Sequence, residues 1–274
     1  MISIQGRLFD LLLRLIHKKS LLKKRFHYKK INRLIWSEPT RKIRSSFRVE
    51  KALVDGHAVF TLNHKHTAGQ KTILYLHGGA YIDSFVKPHW NFMHTLIQQL
   101  DCVIITPDYP LAPENTFKET FTMLSEVYKE LMETTNPDGI VMMGDSSGGG
   151  LALALAQLAA KEKWPQPKQI ILLSPWLDIS LSNPTIMDID PSDNFLGADG
   201  LKMAGKAYAG GFPKDYYLLS PIYGELAGLA PVSLFIGSRE ILVADARKLK
   251  KRAGERGIII NYNEYPGMFH AWML

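Results

Sequence analysis

The chain has 274 residues, 46% of them hydrophobic, a formal net charge of +7 and one cysteine. That length and apolar content suit a single large core and give no reason for a second independent domain, while the lone Cys102 excludes a disulfide framework or a cysteine-rich metal site and reads as a buried, inert thiol. The charge is uneven: residues 1–51 carry 15 Lys/Arg against 3 Asp/Glu, a balance of +12, and the remainder carries 18 against 23, so basicity gives no reason to expect a nucleic-acid partner for the main body.

Residues 1–45 form a basic, amphipathic helical segment. Ile4, Leu8, Leu11, Leu12, Leu15 and Ile16 fall on one side of a helix, with Arg7, Asp10, Arg14, His17 and Lys18 on the other. Its apolar runs are far shorter than the ~20 residues of a membrane span, and Asp10 and Arg14 interrupt any signal-peptide core. A cytoplasmic protein is therefore expected. Two destinations for the helix stay open. It rests on an anionic membrane surface with Lys18, Lys19, Lys23, Lys24, Arg25, Lys29 and Lys30 near the headgroups, or it packs over the mouth of an active site with Leu8, Leu12 and Leu15 inward.

Residues 47–50 and 57–62 flank Asp55-Gly56 and predict an edge hairpin. From residue 72 buried-strand patterns (72–76, 102–106, 139–143, 169–173, 232–236 and 258–263) alternate with helical ones (89–100, 117–133, 148–160 and 242–255), which predicts a mostly parallel sheet covered on both faces. Residues 176–215 interrupt the rhythm as a polar insertion above the sheet, expected to be a further part of a cap.

Three motifs sit at strand ends. After 72–76 comes His77-Gly78-Gly79-Ala80-Tyr81, whose small residues let backbone N–H groups approach a developing oxyanion; Gly79 and Ala80 are candidate donors, with Gly78 and the N–H of Ser147 beside them. After 139–143 comes Gly144-Asp145-Ser146-Ser147-Gly148, a G-x-S-x-G turn between strand and helix that lifts a serine hydroxyl clear of the sheet. Only one histidine, His270, follows Ser146, which makes it the candidate base. Glu240, just past the strand 232–236, is the first candidate for the acid that orients it, with Asp245 second because it should already lie in the next helix.

Together with Asp108-Tyr109-Pro110-Leu111-Ala112-Pro113-Glu114, these motifs make residues 45–274 resemble the hormone-sensitive-lipase-like carboxylesterase branch of the α/β-hydrolases. The resemblance implies an α/β-hydrolase fold, with Ser146 as nucleophile, His270 as base and Glu240 as acid, acting on short-chain acyl esters, acetyl among them. Ala80 stands where the third glycine of the usual oxyanion loop would be, and glutamate replaces the commoner aspartate as acid. The branch caps its sites with N-terminal helices, which favours the cap destination for residues 1–45. Only four residues follow His270, where such families usually continue into a final helix, so an apolar sheet face is expected to lie uncovered unless the N-terminal segment or a partner subunit, as in a homodimer, covers it.

Phe85, Trp90, Trp176 and Phe195 are candidate pocket walls. No cofactor and no metal is expected: there is no G-x-x-x-x-G-K-S/T or G-x-G-x-x-G loop, and neither His64/His66 nor His89/His94 has metal-ligand spacing. The partner expected is a small-molecule ester. The alternatives are a hydrolase fold that only binds a small ligand, and an amidase or deacetylase using the same triad.

Overall fold

The computed structural model describes residues 4–27, 37–63, 65 and 70–274; Lys29, Lys30, His64 and His66 lie outside the described residues. The strands are β1 (Val49–Val54), β2 (His57–Leu62), β3 (Thr72–Leu76), β4 (Val103–Pro107), β5 (Ile140–Asp145), β6 (Gln169–Leu173), β7 (Val232–Gly237) and β8 (Ile260–Tyr265). They form one sheet in the order β1-β2-β4-β3-β5-β6-β7-β8. β2 runs antiparallel to β1 and β4, and every other pair is parallel. The β1–β2 hairpin turns at Asp55 and Gly56, both with positive φ (48° and 77°), as a tight two-residue connection requires.

The helices are α1 (Ile4–Leu15), α2 (Lys18–His27), α3 (Arg41–Ser46), α4 (Lys87–Leu100), α5 (Phe117–Thr134), α6 (Ser147–Lys161), α7 (Ile186–Ile189), α8 (Ala198–Ala209) and α9 (Val243–Gly254). All five residues of β3 are buried. Leu74 and Leu76 join the core beneath α5, α6 and α9, while Ile73 and Tyr75 join a second core with Trp90, Met93 and Ile97 of α4. This two-sided burial explains the continuous apolar runs read from the sequence. α5 starts with a capping box, Thr116 accepting from Lys118 N and Glu119 accepting the Thr116 N–H at 2.7 Å, which fixes its entry beside the sheet.

Beyond β5 the second face thins out. Val141, Ile171 and Phe235 are only half-buried there, and next to them Gln169 and Asn261 donate to Ser233 Oγ at 2.9 and 3.2 Å. At this end the outer strands interleave amides and a hydroxyl with the apolar residues.

The N-terminal helices differ from the expectation in orientation. Leu13 is 3% exposed and Asp10 pairs with Arg239 at 2.9 Å and accepts from Asn194 at 3.0 Å, so α1 docks through that side. Leu8, Leu12 and Leu15, predicted to pack inward if the helix is a cap, are instead 50–67% exposed, as are their neighbours Leu11 and Ile16 at 50% and 49%. α2 lies against α8, where a Cβ at Gly197 would come within 2.6 Å of Lys19 O; that contact allows close backbone approach. Lys23–Asp199 (2.6 Å) and the Arg25–Asp83 pair (2.6 and 2.7 Å) complete the attachment.

Candidate active site

Ser146 sits between β5 and α6 with φ 52° and ψ −120°, a conformation that non-glycine residues avoid and that persists only where the surroundings impose it. The surroundings are close backbones: a Cβ on Gly144 would lie 2.2 Å from Gly148 O, and one on Gly148 would lie 2.0 Å from Leu76 O. The turn is held by Ser146 N donating to Leu173 O (2.9 Å) and by Ser146 O accepting from Trp176 N (2.8 Å). The G-x-S-x-G spacing thus follows from sterics at both glycines.

His270 Nε2 lies 3.0 Å from Ser146 Oγ, and His270 Nδ1 lies 2.6 Å from Glu240 Oε2. A carboxylate can only accept, so Nδ1 carries the proton and Nε2 presents its lone pair to the serine hydroxyl. Glu240 is fully buried and fixed through its other oxygen, which accepts from Ser174 Oγ (2.6 Å) and Gly237 N (2.9 Å). Burial pulls the imidazole pKa down, but the charge and hydrogen bond of Glu240 outweigh it, leaving His270 above its ordinary value. Asp245, the second candidate acid, lies on α9 and takes Asn183 Nδ2 at 3.0 Å; burial pushes its carboxyl up to about 6.

The oxyanion loop needs one correction. Gly78 N donates to Asp145 Oδ1 at 2.9 Å, so its N–H is spent on the carboxylate. Gly79 and Ala80, both with positive φ, line the cavity beside Ser146. Their N–H groups and that of Ser147, at the open first turn of α6, have no acceptor among the described residues. Asp145 also accepts from Tyr75 Oη (2.6 Å) and faces His89 Nε2 at 3.4 Å. Despite burial, these partners hold its carboxyl below the usual range. This Tyr75–Asp145–His89 cluster, which braces the loop from beneath, was missed in the sequence; the signal was an acid inside the elbow at the end of a buried strand. His77 stacks on Tyr109 (4.3 Å, 9°), and burial lowers its pKa to about 3, so it is a neutral loop organiser.

A cavity of about 840 Å³ opens over Ser146 and His270, walled by Phe195, Leu201, Leu22 and Lys18. Of the four aromatic candidates only Phe195 lines it, with its ring 5.3 Å from that of His270. Phe85 and Trp90 are fully buried against each other (4.5 Å) and Phe60 under the other sheet face, and Trp176 stacks on Tyr81 (5.3 Å) in the core. Their size and apolarity served packing instead. Among the described residues there is no group of three or more His, Cys, Asp or Glu that could hold a metal. Burial pushes the Cys102 thiol up to about 11.

Residues 73–274 match the family described as alpha/beta hydrolase fold, and the chain belongs to it. Within it the chain falls in the hormone-sensitive-lipase-like carboxylesterase branch. It is 31% identical over 212 residues to an esterase of Acinetobacter venetianus (73% of this chain, 69% of that one) and 30% identical over 203 residues to an acetyl-hydrolase of Streptomyces hygroscopicus (74% and 68%). The crystal structure of a hormone-sensitive-lipase homologue from a metagenome library superposes with a TM-score of 0.82 at 28% identity, covering 99% of this chain and 91% of that one.

Proposed function

We propose that this carboxylester hydrolase works as a serine esterase on short-chain acyl esters, with Ser146 as nucleophile, His270 as base and Glu240 as acid. The observation that carries the reading is the continuous chain Ser146 Oγ–His270–Glu240, at 3.0 and 2.6 Å, beside free N–H groups at the foot of the cavity. Ser146 Oγ attacks the ester carbonyl carbon as its proton passes to His270 Nε2. Negative charge on the carbonyl oxygen is met by the N–H groups of Gly79, Ala80 and Ser147. The C–O bond to the alcohol then breaks, and the alkoxide takes the proton from His270. Water, deprotonated by the same nitrogen, cleaves the acyl-enzyme and returns the serine. The preference for short acyl groups is supported by the relative named acetyl-hydrolase. A fluorophosphonate probe is expected to label Ser146, and p-nitrophenyl esters of increasing acyl length to be cleaved fastest at the short end. Ser146→Ala should lower kcat by ~10⁴-fold or more with the fold intact; labelling at another residue, or an active Ser146→Ala protein, would overturn the mechanism.

A second feature supports work at a lipid surface. Among the described residues no helix is long and apolar enough to cross a membrane, yet α1 turns Leu8, Leu11, Leu12, Leu15 and Ile16 outward. The occupant that fits is an anionic lipid surface, because residues 1–51 carry a balance of +12 and two copies meeting through α1 would bring two such segments together. The protein should sediment with phosphatidylglycerol vesicles at low salt, release at high salt, and lose binding in the triple variant Leu8→Ser, Leu12→Ser and Leu15→Ser. Failure to bind, or a dimer in solution abolished by that variant, would exclude the lipid reading.

A further inference from the structure

Of the charged side chains that line the cavity, all but one have a partner among the described residues. Lys19 pairs with Asp190, Arg25 makes a two-pronged pair with Asp83, Asp145 is held by His89 and Tyr75, and His270 is held by Glu240. Lys18, at the start of α2, has no carboxylate within salt-bridge distance among the described residues. It is half-buried, and its ammonium lies 5.2 Å from the centre of the Phe195 ring. The same ring lies 5.3 Å from the imidazole of His270. The Lys18 nitrogen is therefore at most about 10.5 Å from the centre of the catalytic imidazole, the sum of those two distances. Burial lowers the Lys18 pKa; the Asp83 carboxylate, already engaged by Arg25, opposes this and the Arg25 charge adds to it. A half-buried ammonium over an aromatic wall, with no anion of its own, gains most from one that arrives with a ligand.

We infer that Lys18 forms an anion subsite of the esterase cavity, so that the preferred substrates are esters bearing a carboxylate, or a comparable anion, a short spacer from the scissile carbonyl. The inference rests on the esterase reading above. That upper limit leaves room for a spacer of up to about six bonds, since each C–C bond adds roughly 1.3 Å along an extended chain. Phe195 would pack against that spacer, between the reacting carbon and the cation. The rest of the cavity wall is mostly apolar, so the anion is singled out by one residue, and a neutral ester of the same length loses only that contact.

Two matched pairs of substrates test this on the full-length protein: mono-p-nitrophenyl adipate against p-nitrophenyl hexanoate, with the anion on the acyl side, and 4-acetoxybenzoate against its methyl ester, with the anion on the alcohol side. In at least one pair the anionic member should have the lower KM at low salt. Lys18→Met should shift the KM ratio of that pair about 10-fold toward the neutral ester, whereas Lys18→Arg should retain most of the preference. An anion preference in neither pair, or a Lys18→Met ratio equal to wild type, overturns the subsite. Calorimetry of monomethyl adipate with Ser146→Ala, and with Ser146→Ala plus Lys18→Met, reads binding without turnover. Binding lost only in the double variant supports the subsite even if no ester is cleaved, and equal or absent binding in both overturns it. Failure of wild type to cleave any neutral ester counts separately, against the serine esterase reading.

Discussion

The floor of the cavity hangs from the ends of β5, β7 and β8, where parallel pairing fixes Ser146, Glu240 and His270 relative to one another, whereas its roof, α1 and α2, is attached by side chains. The roof's ion pairs are Asp10–Arg239, Lys19–Asp190, Lys23–Asp199 and Arg25–Asp83, beside the buried Leu13 and the half-buried Leu22 and Phe26 on the core, and both partners of the Lys23 pair are well exposed. Ladder hydrogen bonds between buried strands open only with the whole domain, while exposed ion pairs weaken with salt and open locally. One cavity thus joins a part that is rigid by topology to a part whose attachment depends in part on ionic conditions.

The sharpest way to break this comparison is at the floor. Glu240→Gln should lower kcat by about 10³–10⁴-fold, because the imidazolium loses its partner, while Asp245→Asn should change kcat only a few-fold at most, since that carboxylate faces Asn183. A reversed order in steady-state kinetics would reassign the acid. The pH profile sharpens the same point. As the proposed base His270 must be neutral, so kcat/KM should fall as pH drops through its raised pKa, and Glu240→Gln should move that acid limb to lower pH. Stability responds with the opposite sign. A histidine raised on folding stabilises the native state below the unfolded value of about 6.5, and that contribution fades as pH rises through the folded pKa. Acid therefore removes activity while this contribution to the fold is kept, as activity and thermal melts measured on the same samples would show.

At the roof the expected effect is smaller. Asp83→Asn leaves Arg25 without its carboxylate and should weaken the attachment of α2 by about 1–3 kcal/mol, while kcat for a small neutral ester changes only a few-fold. The readout is tryptic cleavage within residues 18–27, faster in the variant at low salt and faster in wild type as salt is raised. Cleavage indifferent to both would place the roof in the same cooperative unit as the floor.

The sequence made the floor legible and left the roof ambiguous, for a physical reason. Strand–turn–helix punctuation, close-packed glycines and the order of Ser146, Glu240 and His270 are local or ordinal features, and they map onto the sheet directly. Helical periodicity shows that Leu8, Leu12 and Leu15 share a side, but not whether that side faces protein or solvent; Asp10, read as part of the solvated face, is what docks α1. Large aromatics were ambiguous in the same way. Trp90 and Trp176 fill cores as well as they would wall a pocket, and only the path of the chain after β6 brings Phe195 to His270. Gly78 stayed beside Gly79 and Ala80 as an oxyanion donor because nothing local marks which N–H the Asp145 carboxylate has taken.

Arg239 gives the enzyme a mechanical junction. Its guanidinium holds Asp10 of α1, its backbone N–H donates to Met268 O in the loop that carries His270, and the next residue in the chain is Glu240. A load that lifts α1 is borne at a point one peptide bond from Glu240 and one hydrogen bond from the loop of His270, whereas a load on the Asp55-Gly56 hairpin tip enters at the opposite edge of the sheet, behind the antiparallel β1–β2–β4 ladder. Tethering this protein to a bead or surface through the hairpin leaves the catalytic loops unstrained, and tethering it through α1 makes turnover a gauge of the pull.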